Sequence, residues 1–384
     1  MKSLFFSVPL FSTLSSIRSA TQLVTASVTL SIALPASILF VSPTAFGQAA
    51  PLKIAFVYVS PVADAGWTHQ HNVGRLEMEK NLAGKVSTSF VENVAEGPDA
   101  ERVIRDLAVQ GNKLIFTTSF GYMNATEKVA KEFPNVVFMH ATGYKTAVNL
   151  GSYNARFYEA RYLNGVIAGK MSKTGVVGYV AAFPIPEVLQ GINAFTRGMR
   201  SINPKAEVKV IWTNAWYDPG REREAAQTLL SQGADTLTHH TDSTAIVQAA
   251  EQKGAFAFGY HSDMSKYGPK AHLAAATHHW GAWYTKVAQD VLAKQWVTGS
   301  VWGGSKEGFI RLGAMNSVVP NDVQKMVLQL ESDIKTGKLK PFAGPIVGQD
   351  NKERLAQGKS LSDEELNRMD YYVQGVSSKM PAKN

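Results

Sequence analysis

The stretch IAFVYVSPVADAGWTHQHNVG, residues 54–74, decides the fold. Its first six residues are an apolar run rich in β-branched and aromatic types, which suits a buried strand. A short loop follows, and from about residue 68 the pattern becomes that of a helix. A strand that passes through a loop into a helix is the opening unit of a parallel sheet covered by helices. The loop also places Trp67, Thr68 and two histidines at the carboxyl end of the strand. Open α/β sheets bind their ligands at such ends.

The same alternation continues outward. Strands are expected over 53–59, 87–92, 113–118 and 136–140, with helices over 68–81, 98–110 and 124–132. A helix over 154–171 leads to KTGVVGYVAAF (173–183), where the alternation starts again. The second pass predicts strands over 176–180, 207–212, 236–238 and 255–258, and helices over 186–201, 220–232 and 244–252. The expected fold class is therefore α/β, with two Rossmann-like doubly wound lobes and a ligand cleft between them. The N-terminal lobe is expected over 51–160, completed by part of 261–300. The C-terminal lobe is expected over 172–260, completed by part of 300–376. Segments 271–275, a helix over 281–293 and EGFIRLGAMN (307–316) are too few for a third domain and should cross back to complete the sheets. In LSDEEL (361–366), Ser362 reads as a helix N-cap before acidic first-turn residues.

Composition bounds the function classes. The chain has 384 residues, enough for two lobes, and at 45% hydrophobic and 18% charged it has the make-up of an ordinary globular protein. Residues 1–47 contain Lys2 and Arg18, no acidic residue and an apolar stretch over 23–41. Ala45 and Gly47 in SPTAFGQAA (42–50) suit a signal-peptide cleavage before Gln48, which points to the periplasm. A membrane anchor is the alternative, weakened by Pro35. The absence of cysteine rules out disulfides, thiolate metal sites and a lipidated cysteine. The net charge of +8 is dispersed, which is not a nucleic-acid footprint.

Loops after the predicted strands hold the candidate site. Trp67 and Thr68 follow the first strand, Phe120 and Asn124 lie in TSFGYMN (118–124), and Phe183 lies in AAFPIPE (181–187). Trp216 lies in TNAWYD (213–218), His240 and Asp242 in HHTDST (239–244), and His261 in GYHSDM (259–264). Aromatic faces hold a flat heterocycle, at about 1–3 kcal/mol per stacking partner by analogy with base stacking. Amides, carboxylates and imidazoles then read its edge. Phe120 or Phe183 taken alone reads first as core packing. Asp242 has two readings, as the N-cap of a helix starting near Thr244 or as a ligand acceptor. The histidine pairs lack metal-ligand spacing, so neither a metal nor a cofactor is expected. No glycine-rich nucleotide fingerprint or G-x-S-x-G elbow is present. A cluster of Asp64, Asp218 and Asp263 with His261 leaves a nucleosidase-like hydrolase as an alternative.

The stretches DAGWT (64–68), SFGYM (119–123), VAKEFPNVVF (129–138), EARYLNGVIAGKMSKTGVVGYVAAFPIPEV (159–188), YDPGREREAAQTLLSQGADTLTHHTDS (217–243), AFGYHSDM (257–264) and PFAGPI (341–346) together carry a resemblance. The chain from about residue 52 to 376 resembles the basic membrane protein family of periplasmic solute-binding proteins. These are purine-binding receptors of ABC importers with a type I periplasmic-binding-protein fold. The resemblance implies a purine ligand, a membrane permease as partner and no enzymatic step. It also implies stacking on Trp67 beside Thr68, with a second aromatic from the other lobe, Phe183 first and Trp216 in reserve. Family members that bind nucleosides read the sugar with an aspartate of a GVDSDQ motif and a downstream lysine. This chain has His261 at the first place and His278 and His279 in ATHHWG (276–281) near the second. An imidazole offers one acceptor where a carboxylate can take two hydroxyls, which favours a free base such as adenine over a nucleoside. A sugar receptor of the same fold is the other binding alternative.

Overall fold

A computed structural model describes residues 50–381. The expected leader over 1–47 lies outside them. Among the described residues, no helix is long and apolar enough to cross a membrane.

The opening stretch forms β1 (Leu52–Val57), and α1 (Trp67–Asn81) starts one residue earlier than its pattern suggests. Then come β2 (Val86–Val91), α2 (Pro98–Val109), β3 (Leu114–Thr117), α3 (Met123–Glu132) and β4 (Val137–Ala141). Local chemistry sets several ends. Pro98 opens α2 with Asp99 and Glu101 in its first turn, which suits the positive end of a helix dipole.

The first departure from the sequence reading is β5 (Leu150–Ala155), a strand in a segment given no strand above. Its sequence, LGSYNA, contains Gly, Ser and Asn, which strands disfavour. Tertiary packing overrides that preference, because β5 sits between β4 and another strand and is mostly buried. The following helix, α4 (Tyr158–Met171), consequently starts later than residue 154.

The second series is β6 (Val176–Ala181), α5 (Pro186–Ile202), β7 (Glu207–Trp212), α6 (Pro219–Ser231), β8 (Thr236–His240), α7 (Ala245–Lys253) and β9 (Phe256–His261). Asp218 caps α6 by accepting from the Arg221 backbone N–H at 3.0 Å. Next are β10 (His272–His278), α8 (Gly281–Leu292), β11 (Ser300–Gly303), β12 (Ile310–Leu312) and α9 (Asn321–Lys335). The tail adds β13 (Ile346–Val347), β14 (Glu353–Leu355) and α10 (Asp363–Asn367). Ser362 caps α10 in a full capping box with Glu365.

Two six-stranded sheets result. Their orders are β11-β5-β4-β3-β1-β2 and β12-β10-β9-β8-β6-β7. Each is parallel apart from β12, which runs antiparallel to β10. Strand order in each reverses beside its first strand, at β1/β3 and at β6/β8. The chain passes between lobes at 156–157, 279–280 and 304–309: α4 packs on α5, α8 packs back on α1, and β12 returns to the second sheet. The strand β10 belongs to the second sheet, so that lobe extends past residue 260.

The α4–α5 contact is unusually close. A Cβ on Gly165 would run into the Phe195 carbonyl oxygen, and one on Gly198 into that of Tyr162. Only glycine allows the two backbones this approach. Gly198→Ala is expected to destabilise the protein by about 1–3 kcal/mol through overpacking. A urea melt checks this; an unchanged midpoint would contradict the close approach.

Candidate functional site

Both strand-order reversals point their carboxyl ends at one cleft, and a small cavity lies there. From the first lobe it is lined by Val59 and Trp67 after β1, Ser119 and Phe120 after β3, and Thr142 after β4. From the second it is lined by Ile185 and Glu187 after β6, Trp216 after β7, His240 at the end of β8 with Thr241 and Asp242 after it, and His261 at the end of β9. Of the residues expected from sequence, Trp67, Phe120, Trp216, His240, Asp242 and His261 meet at this cavity.

Trp67 is the first residue of α1 and is 8% exposed. Its indole N–H donates to the Thr118 carbonyl at 2.7 Å, and His71, His261, His278, Phe157 and Trp280 pack around its ring. These contacts, two of them from the second lobe, hold the indole in one orientation.

Asp242 lines the cavity but does not cap α7. The N-cap of α7 is Thr244, and Asp242 instead serves the start of α1 in the opposite lobe. Its Oδ1 accepts from the Trp67 backbone N–H at 2.8 Å and its Oδ2 from Ser60 Oγ at 2.6 Å. The N-cap position of α1 is Gly66, which has no side chain to do this. Gly66 has φ +102°, and a Cβ there would strike the Asp242 carbonyl oxygen; its N–H donates to Ser262 Oγ at 2.9 Å. A further bond across the cleft joins Trp216 Nε1 to Glu96 Oε1 at 3.2 Å, and Ser119 Oγ donates to the same oxygen at 2.5 Å.

His261 has φ +70°, a left-handed conformation that costs a non-glycine residue about 1–2 kcal/mol. Its Nδ1 is bonded to His278 Nε2 at 3.0 Å and its Nε2 lies 3.6 Å from Asp242 Oδ1. His240 Nε2 lies 3.5 Å from Glu187 Oε1. Burial pushes the Asp242 carboxyl up to about 7 and the Glu187 carboxyl up to about 8. The same burial holds His240, His261 and His278 well below the usual imidazole range.

Three expected residues do not reach the cavity. Thr68 is buried beneath it, bonded to Ser60 Oγ at 2.6 Å. Phe183 packs edge-on against Trp216, with ring centroids 5.0 Å apart, because the loop after β6 turns Ile185 and Glu187 inward instead. Asn124 lies in the first turn of α3 on its solvent face, and accepts from Lys145 Nζ at 2.9 Å. The sequence reading overlooked Glu187. Its signal was Pro186, which opens a helix right after a strand and so sets residue 187 in a first turn at the sheet's carboxyl end. Among the described residues, no group of three or more His, Asp or Glu side chains is placed to hold a metal ion.

Comparison with known proteins places this geometry. Residues 52–340 match the family model Bmp, described as ABC transporter substrate-binding protein PnrA-like. A purine-binding protein of Brucella abortus is 52% identical over 330 residues, covering 86% of this chain and 94% of its own length. A candidate ABC transporter glucose-binding protein of Haloferax volcanii is 36% identical over 331 residues, covering 86% and 82%. The crystal structure of an ABC transporter solute-binding protein from Aeropyrum pernix superposes with a TM-score of 0.68 at 19% identity, covering 77% of this chain and 94% of that one, a likeness of fold.

Acid should destabilise the protein. His71, His140, His239, His240, His261 and His278 are all lowered by burial, so each is neutral when folded and takes a proton once unfolded below about 6.5. Their contribution is present above that value and is lost as pH falls through it. Asp242 and Glu187, raised to about 7 and about 8, act in the opposite sense and lose their contribution as pH rises through those values. His272 and His279 are lowered as well and Glu159 and Glu222 raised, so with eight imidazoles against four carboxyls the thermal midpoint is expected to be lower at pH 5 than at pH 7. A midpoint at pH 5 equal to or above that at pH 7 would contradict the burial of these imidazoles.

Proposed function

The chain belongs to the Bmp family of PnrA-like ABC transporter substrate-binding proteins, and we propose that its cleft binds a purine as a free base and hands it to a membrane permease of an ABC importer. The family's members bind small molecules for transport, and no bond-breaking step is part of this reading. The observation that carries it is one cavity lined by Trp67 from the first lobe and Trp216 from the second, with buried carboxyls and imidazoles between them. Two indoles from opposite lobes suit a flat ring, at about 1–3 kcal/mol per stacking face. The Brucella relative, named as purine-binding, supports the choice of ring.

Free base is preferred to nucleoside for two reasons. The position that reads ribose in nucleoside-binding members is His261 here, and its Nδ1 is already engaged with His278. Asp242, the cavity's other acid besides Glu187, already has both oxygens bonded to the opposite lobe. Little is left to receive ribose hydroxyls. The same shortage argues against a hexose, which needs a ring of polar partners, although the Haloferax relative is named for glucose. Export to the periplasm by the leader over 1–47 completes the proposal. Closure on the ligand is then a hinge motion about the lobe crossings, driven by contacts made only in the closed form.

Calorimetry tests the reading. Adenine is expected to bind at least about tenfold more tightly than adenosine, and glucose to give no heat. Trp67→Ala is expected to weaken adenine by about ten- to a hundredfold, the loss of one stacking face. Tighter binding of adenosine or glucose than of adenine would defeat the assignment. An unchanged dissociation constant in Trp67→Ala would mean that the indole packs and does not bind.

A further inference from the structure

The cavity contains two acids, and they are not equivalent. Asp242 has both oxygens partnered, by Ser60 Oγ–H and the Trp67 N–H. Glu187, in the first turn of α5, is different. Its Oε1 lies 3.5 Å from His240 Nε2, while its Oε2 is buried and has no hydrogen-bond partner in the protein. His240 Nδ1, on the other side of that imidazole, is also without a partner. A buried polar atom left unsatisfied costs about 1–3 kcal/mol. Such an atom in the wall of a ligand cavity marks the place where the ligand supplies the missing partner.

We infer that Glu187 is a specificity-determining ligand contact: its free Oε2 bonds to the polar edge of the bound heterocycle, with His240 as its positioning partner. The inference rests on the purine reading and adds to it the group that tells one ring edge from another. The surroundings also fix the charge state of this contact. Glu187 is faced by His240 from β8 and Asn154 from β5, with neither lysine nor arginine in contact. The buried Arg161 guanidinium is spent elsewhere. It lies 3.4 Å over the Tyr260 ring and donates to Thr238 Oγ1 and to the His239 carbonyl. Burial accordingly keeps the Glu187 carboxyl uncharged at neutral pH, where it meets a neutral ring edge with no ionic penalty. The ligand class this selects is an uncharged heterocycle with hydrogen-bonding nitrogens on its rim, in preference to one carrying a carboxylate or phosphate.

Substitution by glutamine and by leucine tests it, with adenine binding followed by calorimetry and folding by circular dichroism and thermal midpoint. A neutral amide presents either an N–H donor or a carbonyl acceptor where Oε2 stands, so Glu187→Gln is expected to stay within about fivefold of the wild type. Glu187→Leu removes the contact and is expected to lose at least about tenfold. Should Glu187→Leu fail to fold, Glu187→Asp, which withdraws the acid by one methylene, carries the same expectation of a loss. Wild-type affinity in a folded Glu187→Leu would overturn the inference while leaving the purine reading intact. A loss in folded Glu187→Gln as large as in Glu187→Leu would overturn the uncharged contact. If the wild type itself does not take up adenine, the purine reading and this inference fall together.

Discussion

A carboxyl group of the second lobe caps a helix of the first, and the rest of the cleft is organised around that bond. Helix α1 starts on a glycine and has no cap of its own. Asp242 supplies one from across the cleft while also accepting from Ser60. A carboxyl at a helix N-terminus is favoured by the dipole and by orphan N–H groups, yet here it must be taken out of water. Burial is the larger effect, and it pushes the pKa of the carboxyl up to about 7. The bond joins the lobes where they exclude water together, and it fixes the first turn of α1 and so the Trp67 ring.

Repetition of one topology explains why the contacts converge. Each sheet reverses its strand order beside its first strand, and each reversal leaves a gap between loops at the carboxyl edge. With the two gaps facing one another, a ligand is reached by loops from both lobes at once. The lobes are tied by three passages of the chain, and at one of them Arg156 holds Asp363 of the tail through two bonds of 2.6 and 2.7 Å. The second lobe's own core depends on the α4–α5 contact, where glycines let helix backbones touch. Rigid lobes and a few connecting segments are what a hinge requires.

Much of this was legible in the sequence. Strands rich in Val, Ile and Phe, and helices opened by proline, are signals written locally, and they located both α/β halves. Loops after strands located Trp67, Trp216, His240, Asp242 and His261, because the carboxyl ends of a parallel sheet are a topological consequence of the alternation. What could not be read was set by packing. The strand LGSYNA has the composition of a loop and is a strand only because both its neighbours demand one. Phe183 and Ile185 are two apolar residues in one loop, and which of them faces the cavity depends on the loop's turn. The cap on α1 joins residues 175 positions apart, beyond the reach of any local pattern.

The proposed binding depends on a flat ring held between indoles of opposite lobes, and a crystal structure grown with adenine tests that most directly. It is expected to show the base in the cavity with Trp67 against one face, Trp216 against the other and the Asp242–Trp67 bond in place. Density for the base outside the cavity, or a base within it touching neither indole, would contradict it.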